Sequence, residues 1–378
     1  MLKCGIVGLP NVGKSTLFNS LLKKQIAAAA NYPFTTIDPN VGVVEVADER
    51  LTKLAEVIRD SSTSLRTAPP IIPATVEFVD IAGLVKGASS GEGLGNKFLS
   101  YIREVDAIAH VVRVFEDPNI IRSGIDPRLP SPSGEAIGGQ AKSDIETINI
   151  ELMLADLETL QKLIDAKEKE LKTSKEATGE LNVLNSIKEA LEVEKPASSV
   201  EVEEKYHEYV KQLPLITLKP VIYVFNVAEE KLKDTTSMIR LIEVFQPNVI
   251  ISAKMEEELV TLNSDEQKEY LKEARVEQSG LEKLIQVSFK LLGLQTFFTA
   301  GEKEVRAWTI KAGSKAPQAA GVIHTDFERG FIKAEVIHWE KLIAAGGWSQ
   351  AREKGWVRLE GKDYIFQDGD TTIFKFNV

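Results

Sequence analysis

The chain has 378 residues, more than one hydrophobic core ordinarily organises, so more than one domain is expected. Its net charge of -10 at pH 7 argues against a surface that binds nucleic acid indiscriminately, and no apolar run is long enough to span a bilayer, so no membrane association is expected. The single cysteine, Cys4, excludes a disulfide framework and points to a reducing compartment, the cytoplasm, with no signal peptide expected ahead of the first strand.

Leu2 to Val7 is an apolar run that reads as a buried strand. Gly8-Leu9-Pro10-Asn11-Val12-Gly13-Lys14-Ser15 follows it and fits the phosphate-loop pattern G-x-x-x-x-G-K-[ST]. A helix-forming run, Ser15 to Lys23, comes next. Strand, glycine loop and helix together are the context that gives the motif its meaning. Gly8 and Gly13 let backbone N–H groups of Asn11, Val12, Gly13 and the residues after them turn inward around a phosphate. Lys14 neutralises the terminal phosphates, Ser15 offers a hard oxygen to Mg²⁺, and Thr16 completes the helix start, whose dipole favours anions.

Asn31 to Pro39, with two prolines bracketing Thr35 and Thr36, reads as an irregular loop. Val41 to Val46 is a strand and Glu49 to Arg59 a short helix. Thr75 to Val79 is a strand that runs into Asp80-Ile81-Ala82-Gly83. Gly87, Gly91, Gly93 and Gly95 follow in close succession before a helix over Lys97 to Arg103. Ala107 to Val114 is another buried strand. Arg128 to Lys142, rich in Gly, Pro and Ser, reads as an exposed loop.

From Ser143, apolar residues recur at helix spacing to about Lys195, and a second helical stretch spans Val200 to Leu213. The expected unit is an antiparallel helical hairpin. Val221 to Phe225 resumes the strand pattern and ends at Asn226. Val249 to Ile251 is the last strand of the set, and helices follow from Ser264 and Ser279. After Leu294 come short strands at Val305 to Ile310, Phe331 to Ile337, Tyr364 to Gln367 and Thr371 to Phe376. The last two flank Asp368-Gly369-Asp370, a hairpin signal. The expected fold is α/β: a doubly wound P-loop domain over residues 1–142 and 215–293, an inserted helical domain over 143–214, and a small α+β domain over 294–378.

The motifs stand in the order that a GTPase-type domain requires. Thr35 or Thr36 can close over the γ-phosphate and ligate Mg²⁺, with Thr36 the candidate ligand, Asp80 can hold the metal through water, and the Gly83 N–H can reach the γ-phosphate. Asn226-Val227-Ala228-Glu229 and Ser252-Ala253-Lys254 sit where base recognition belongs. These motifs resemble those of Obg-related GTPases. With Asn31-Tyr32-Pro33-Phe34-Thr35-Thr36, Asp80 to Gly87, and Phe297-Phe298-Thr299-Ala300-Gly301, the resemblance narrows to the YchF / Obg-like ATPase family. Lys315 to Gly321 and Ile323 to Phe327 match that family's C-terminal TGS domain, which has a β-grasp-like fold. The family passes quickly from the Asp126-Pro127 position into its helical insert, whereas this chain carries the longer segment Arg128 to Lys142.

Guanine readers use Asn-Lys-x-Asp, and here the Lys is Val227 and the Asp is Glu229. Asn226 can still pair with adenine N6 or N7, and the resemblance implies ATP in preference to GTP. Small GTPases orient the attacking water with a Gln just after Asp-x-x-Gly, where this chain has Leu84, so turnover is expected to be slow. Asn11 resembles the loop residue that helps hold K⁺ in related GTPases. His110 is a candidate water-orienting group, the alternative being a hydrogen-bonded core histidine. Between Arg306 and Lys333, basic residues outnumber acids and Trp308, Phe327 and Phe331 are interleaved, a pattern compatible with RNA contact or with a solvated face. The resemblance implies an Mg²⁺-dependent ATPase that binds the ribosome as a monomer. A GTPase of ribosome assembly and a nucleotide switch with negligible turnover are the alternatives.

Overall fold

The computed structural model describes residues 2–29, 40–62, 66–81, 94–115, 134–170, 177–233 and 236–377. The chain divides into two compact units, one of Met1–Val43 and Glu77–Ser288, the other of Val44–Val76 and Phe289–Val378. Up to residue 291 the strands are β1 (Lys3–Val7), β2 (Val41–Val46), β3 (Ile71–Ile72), β4 (Ala74–Asp80), β5 (Ala107–Val114), β6 (Val221–Val227) and β7 (Asn248–Ile251). The helices are α1 (Lys14–Ala29), α2 (Glu49–Ser61), α3 (Leu94–Glu104), α4 (Gly134–Glu170), α5 (Ala177–Glu192), α6 (His207–Lys211), α7 (Ile239–Val244), α8 (Ala253–Leu259), α9 (Ser264–Glu273) and α10 (Gly280–Leu291). Among them, no helix is long and apolar enough to cross a membrane.

The sheet of the first unit has the order β2-β4-β1-β5-β6-β7. From β4 to β7 all neighbours are parallel. The chain leaves β1 toward β4 on one side and takes up β5 on the other. Strand order therefore reverses at β1, and the crevice at its carboxyl end is where an α/β sheet takes a ligand. Every residue of β5 is buried, as a continuous run between two helical layers requires. On one face, Val7 and Ile108 pack with Phe98, Leu99 and Ile102 of α3 and with Ile148 and Leu152 of α4. Next to them, Val112, Val114, Phe225 and Val227 pack with Ala141 and Ile145 of α4.

That packing corrects the expected start of the insert. The helix begins at Gly134 rather than Ser143, because Ala141 is fully buried against β5 and β6 and draws the helix back over it. A Cβ at Gly139 would meet no atom within 4 Å, so the glycine marks no close approach there. The helices α4 and α5 form an antiparallel pair, with Lys188 on Gln161 and Lys167 on Glu180. The second helical stretch is shorter than expected: a 3₁₀ turn at Glu204–Tyr206 runs directly into the five-residue α6. Its apolar residues Val200, Val202, Tyr206, Tyr209, Val210 and Leu213 all reach the hairpin core. Asp156 of α4 is fully buried and accepts hydrogen bonds from Ile216 N, Thr217 N and Thr217 Oγ1, each at 2.7 Å. It ties the insert to the segment that leads into β6.

The second unit adds β8 (Leu294–Ala300), β9 (Val305–Lys311), β10 (Phe331–His338), β11 (Arg358–Glu360) and β12 (Asp370–Phe376), with α11 (Ala316–Ile323), α12 (Thr325–Arg329), α13 (Trp339–Ala345) and α14 (Trp348–Glu353). Its sheet has the order β11-β10-β12-β8-β9-β3. The pairing of β3 with β9 brings in a segment read from the sequence as part of the nucleotide domain. In the same unit, Arg50 of α2 contacts Asp48 at 2.8 Å and Asp368 at 2.6 Å, and lies 4.9 Å over the Phe298 ring. The expected hairpin about Gly369 does not form. Ile365 makes only an isolated bridge to Lys315, while β12 pairs with β10 and β8. The Asp370 carboxylate accepts from Gln367 N and Tyr364 Oη, which turns the chain before it can run back as a strand.

Candidate nucleotide site

The phosphate loop joins β1 to α1 with two backbone conformations that follow from its sequence. Gly13 has φ +99°, and a Cβ there would collide with the side-chain amide of Asn226. Asn11 has φ 61°, which asparagine tolerates better than most residues. A Cβ at Gly8 would stand 2.5 Å from the carbonyl oxygen of Val111 on β5. Glycine at positions 8 and 13 therefore lets the loop lie directly against β5 and Asn226.

Lys14 opens α1 and is buried, with its Nζ donating to Leu9 O at 2.7 Å across the loop. Burial pushes its pKa down to about 8, against the opposing pull of Asp80. Asp80, at the carboxyl end of β4, is pushed up by burial and held down by Lys14. Each group is thus costly to charge alone and each favours the charge of the other. Ser15 is exposed beside Lys14, and Thr16 accepts from Ser20 Oγ through its carbonyl at 3.0 Å. Ser15 and Asp80 supply the hard oxygens that Mg²⁺ prefers, and that ion normally takes only one or two from protein. Thr35, Thr36, Gly83 and Leu84 lie outside the described residues.

Asn226 joins the base-recognition segments to the loop. Its Nδ2 donates to Val12 O at 2.9 Å and its Oδ1 accepts from Ala253 N at 3.0 Å. With Oδ1 already in use, an N–H directed at a purine N7 fits this side chain better than an acceptor for adenine N6. Ser252 caps α8, accepting from Met255 N at 3.4 Å, and Ala253 is buried beside Gly13 while Lys254 is exposed.

Val227 is 2% exposed and packs with Val112, Val114 and Phe225, so its side chain lies on the face opposite Asn226. It offers the base its backbone alone. Glu229 opens a 3₁₀ turn and is 3.4 Å from Tyr270 Oη, a hydroxyl closer to Glu258 at 2.8 Å. His110 is 2% exposed in register with Val7 and Tyr223, its ring 5.7 Å from the Tyr223 ring. Burial, with Lys14 nearby, lowers its pKa to about 3. That environment fits a neutral, packed residue of the sheet rather than a group that meets a water. Arg113, which the sequence reading passed over, is buried at the same end of β5. A charged residue inside an otherwise apolar strand was the signal for it.

Residues 3–131 match a family described as 50S ribosome-binding GTPase, and residues 294–377 match the YchF-GTPase C-terminal family, described as a protein of unknown function. The chain is 50% identical over 387 residues to the ribosome-binding ATPase YchF of Bacillus subtilis (strain 168), covering 100% of both chains. It is 48% identical to the protein of the same name from Haemophilus influenzae, covering 100% of this chain and 99% of that one. Among solved structures, the Schizosaccharomyces pombe YchF GTPase superposes with a TM-score of 0.83 at 36% identity, covering 99% of this chain and 97% of that one.

Proposed function

The chain belongs to the YchF family of P-loop nucleoside triphosphatases, and from that premise we propose that it is an Mg²⁺-dependent ATPase whose nucleotide state governs binding to the ribosome. The observation that carries the nucleotide reading is the convergence of Lys14, Gly13, Asn226 and Ala253 at the carboxyl edge of the sheet. Lys14 leaves the Leu9 carbonyl for the phosphates and neutralises charge as the terminal P–O bond breaks. Loop N–H groups hold the remaining oxygens, and Asn226 orients the purine. Ser15 and Asp80 would hold Mg²⁺, with Thr36 as a further candidate ligand, and the Gly83 N–H is a candidate donor to the γ-phosphate. The ion, when bound, neutralises phosphate charge and orients the oxygens. Asn11 is the candidate for a K⁺ beside the phosphates, which predicts faster hydrolysis in K⁺ than in Na⁺ at equal ionic strength.

ATP is favoured over GTP because the guanine-reading pattern is missing two of its groups. No lysine extends from position 227, and Glu229 lies against Tyr270. A buried polar mismatch at the base costs about 1–3 kcal/mol, on the order of ten- to hundredfold in affinity. Ribosome binding rests on the names of the relatives, and the TGS-like unit, with Arg306 stacked 3.9 Å over Trp308, is the candidate RNA contact. The test is a titration with ATP and GTP side by side, with and without ribosomes. Tighter binding of GTP would overturn the ATP assignment, and identical ribosome affinity in the apo, ADP and ATP states would overturn nucleotide control.

A further inference from the structure

Arg113 and Lys14 are the arginine and lysine that are buried among the described residues. Both stand at the carboxyl end of the first sheet. Lys14 has a role there, and Arg113 has none in the reading above. A guanidinium keeps its charge at any ordinary pH, and burying one is costly unless something holds it.

The register fixes which way Arg113 faces. It is paired with Asn226 across β5 and β6. The flanking residues Val112 and Val114 pack with Phe225 and Val227 in one core cluster. Side chains alternate along a strand, so Arg113 and Asn226 share the other face. That is the face on which Asn226 touches Val12 O of the phosphate loop and Ala253 N. Among the contacts of Arg113, its Nε donates to Phe115 O at 3.1 Å, and its guanidinium lies 4.6 Å over the Phe115 ring. Phe115 follows the last residue of β5, so the arginine is turned along the strand toward the ligand edge.

We propose that Arg113 is a positioning residue for the base end of the nucleotide site, set in register with Asn226 on the neighbouring strand. Arg113 braces the sheet edge against which Asn226 and the purine are set. The proposal rests on the ATP reading above.

The test compares Arg113→Met, which keeps the stem and removes the charge, with Arg113→Lys, which keeps the charge and loses the planar fork. Affinities for Mg²⁺-ATP and for Mg²⁺-tripolyphosphate are measured on the full chain, with thermal midpoints alongside. Arg113→Met is expected to weaken ATP about tenfold while tripolyphosphate binds as to the parent protein. Arg113→Lys is expected to recover part of the ATP loss. Unchanged ATP affinity in Arg113→Met overturns the proposal. So does an equal loss for both ligands, because that would place the effect in the phosphate loop or the fold at large. If Arg113→Met does not fold, Arg113→Lys decides: a parent-like ratio of ATP to tripolyphosphate affinity overturns the proposal, and a lowered ratio supports it. A parent protein that fails to bind ATP would instead strike the reading of the previous section.

Discussion

Asn226 donates its side-chain N–H to the carbonyl of Val12, 2.9 Å away in space and 214 positions away in sequence. The same amide accepts from Ala253 N at 3.0 Å, so one buried side chain holds the phosphate loop and two base-recognition segments together. Asn226→Asp keeps the shape but turns the donor into a carboxylate facing the Val12 carbonyl. The expected loss is about 1–3 kcal/mol of stability, with ATP affinity falling as well, since donor and orientation go together. Thermal unfolding and ATP titration of the variant check this. Parent-like values in both would mean that the side chain is not the tie its contacts describe.

Lys14 gives ATP binding a pH dependence. Its pKa in the free protein is lowered to about 8, first by burial. A bound triphosphate favours the charged ammonium and raises that value. Binding therefore takes up a proton at and above pH 8, and affinity, fully present below that, declines as pH rises through 8, at most tenfold per unit. Calorimetric titrations at pH 8 in two buffers of different ionisation enthalpy measure the uptake. Lys14→Met should abolish both the uptake and most of the affinity.

His110 carries an acid sensitivity of the fold. Its pKa is lowered to about 3 by burial, below the ordinary value of 6.5. The unfolded chain thus binds a proton that the folded chain refuses between those values. The stability is present above pH 6.5 and is lost progressively as pH falls toward 3. His110→Ala should lower stability by about 2 kcal/mol through the lost contact with Tyr223, flatten that acid limb, and leave residual turnover. Normal stability with lost turnover would return the histidine to catalysis.

The strands and the phosphate loop were legible because their signals are local. Gly8 to Ser15 after an apolar run fixes a loop, and Ala107 to Val114 coincides with β5 to the residue. What escaped depends on partners distant in sequence. The start of α4 lies ahead of the clear helical periodicity, where Ala141 packs against Val112 and Phe225 in a stretch whose glycines and prolines read as a loop. The turn before Asp370 is set by a carboxylate that caps its own loop, where Asp-Gly-Asp alone reads as a hairpin. In the site, the motif letters do not carry the directions of their side chains. Strand alternation sends Val227 into the core, and only the register of β5 with β6 shows that Arg113 faces Asn226.

That alternation bears on any attempt to restore guanine selection. The obvious substitution, Val227→Lys, copies the Asn-Lys-x-Asp pattern into the sequence. Here the side chain at 227 is 2% exposed among Val112, Val114 and Phe225. An ammonium there would be buried without a partner, or the strand end would have to move to release it. The expected outcome is a loss of about 3 kcal/mol or more with no gain in GTP affinity. Glu229→Asp, at the half-buried start of a 3₁₀ turn, should leave the fold intact and release the contact with Tyr270. Denaturant unfolding and competition between ATP and GTP, on each variant and on the pair, separate the two effects. If Val227→Lys folds with parent stability and shifts preference toward GTP, the residue reaches the base after all, and the face assigned to Val227, and with it that of Arg113, is wrong.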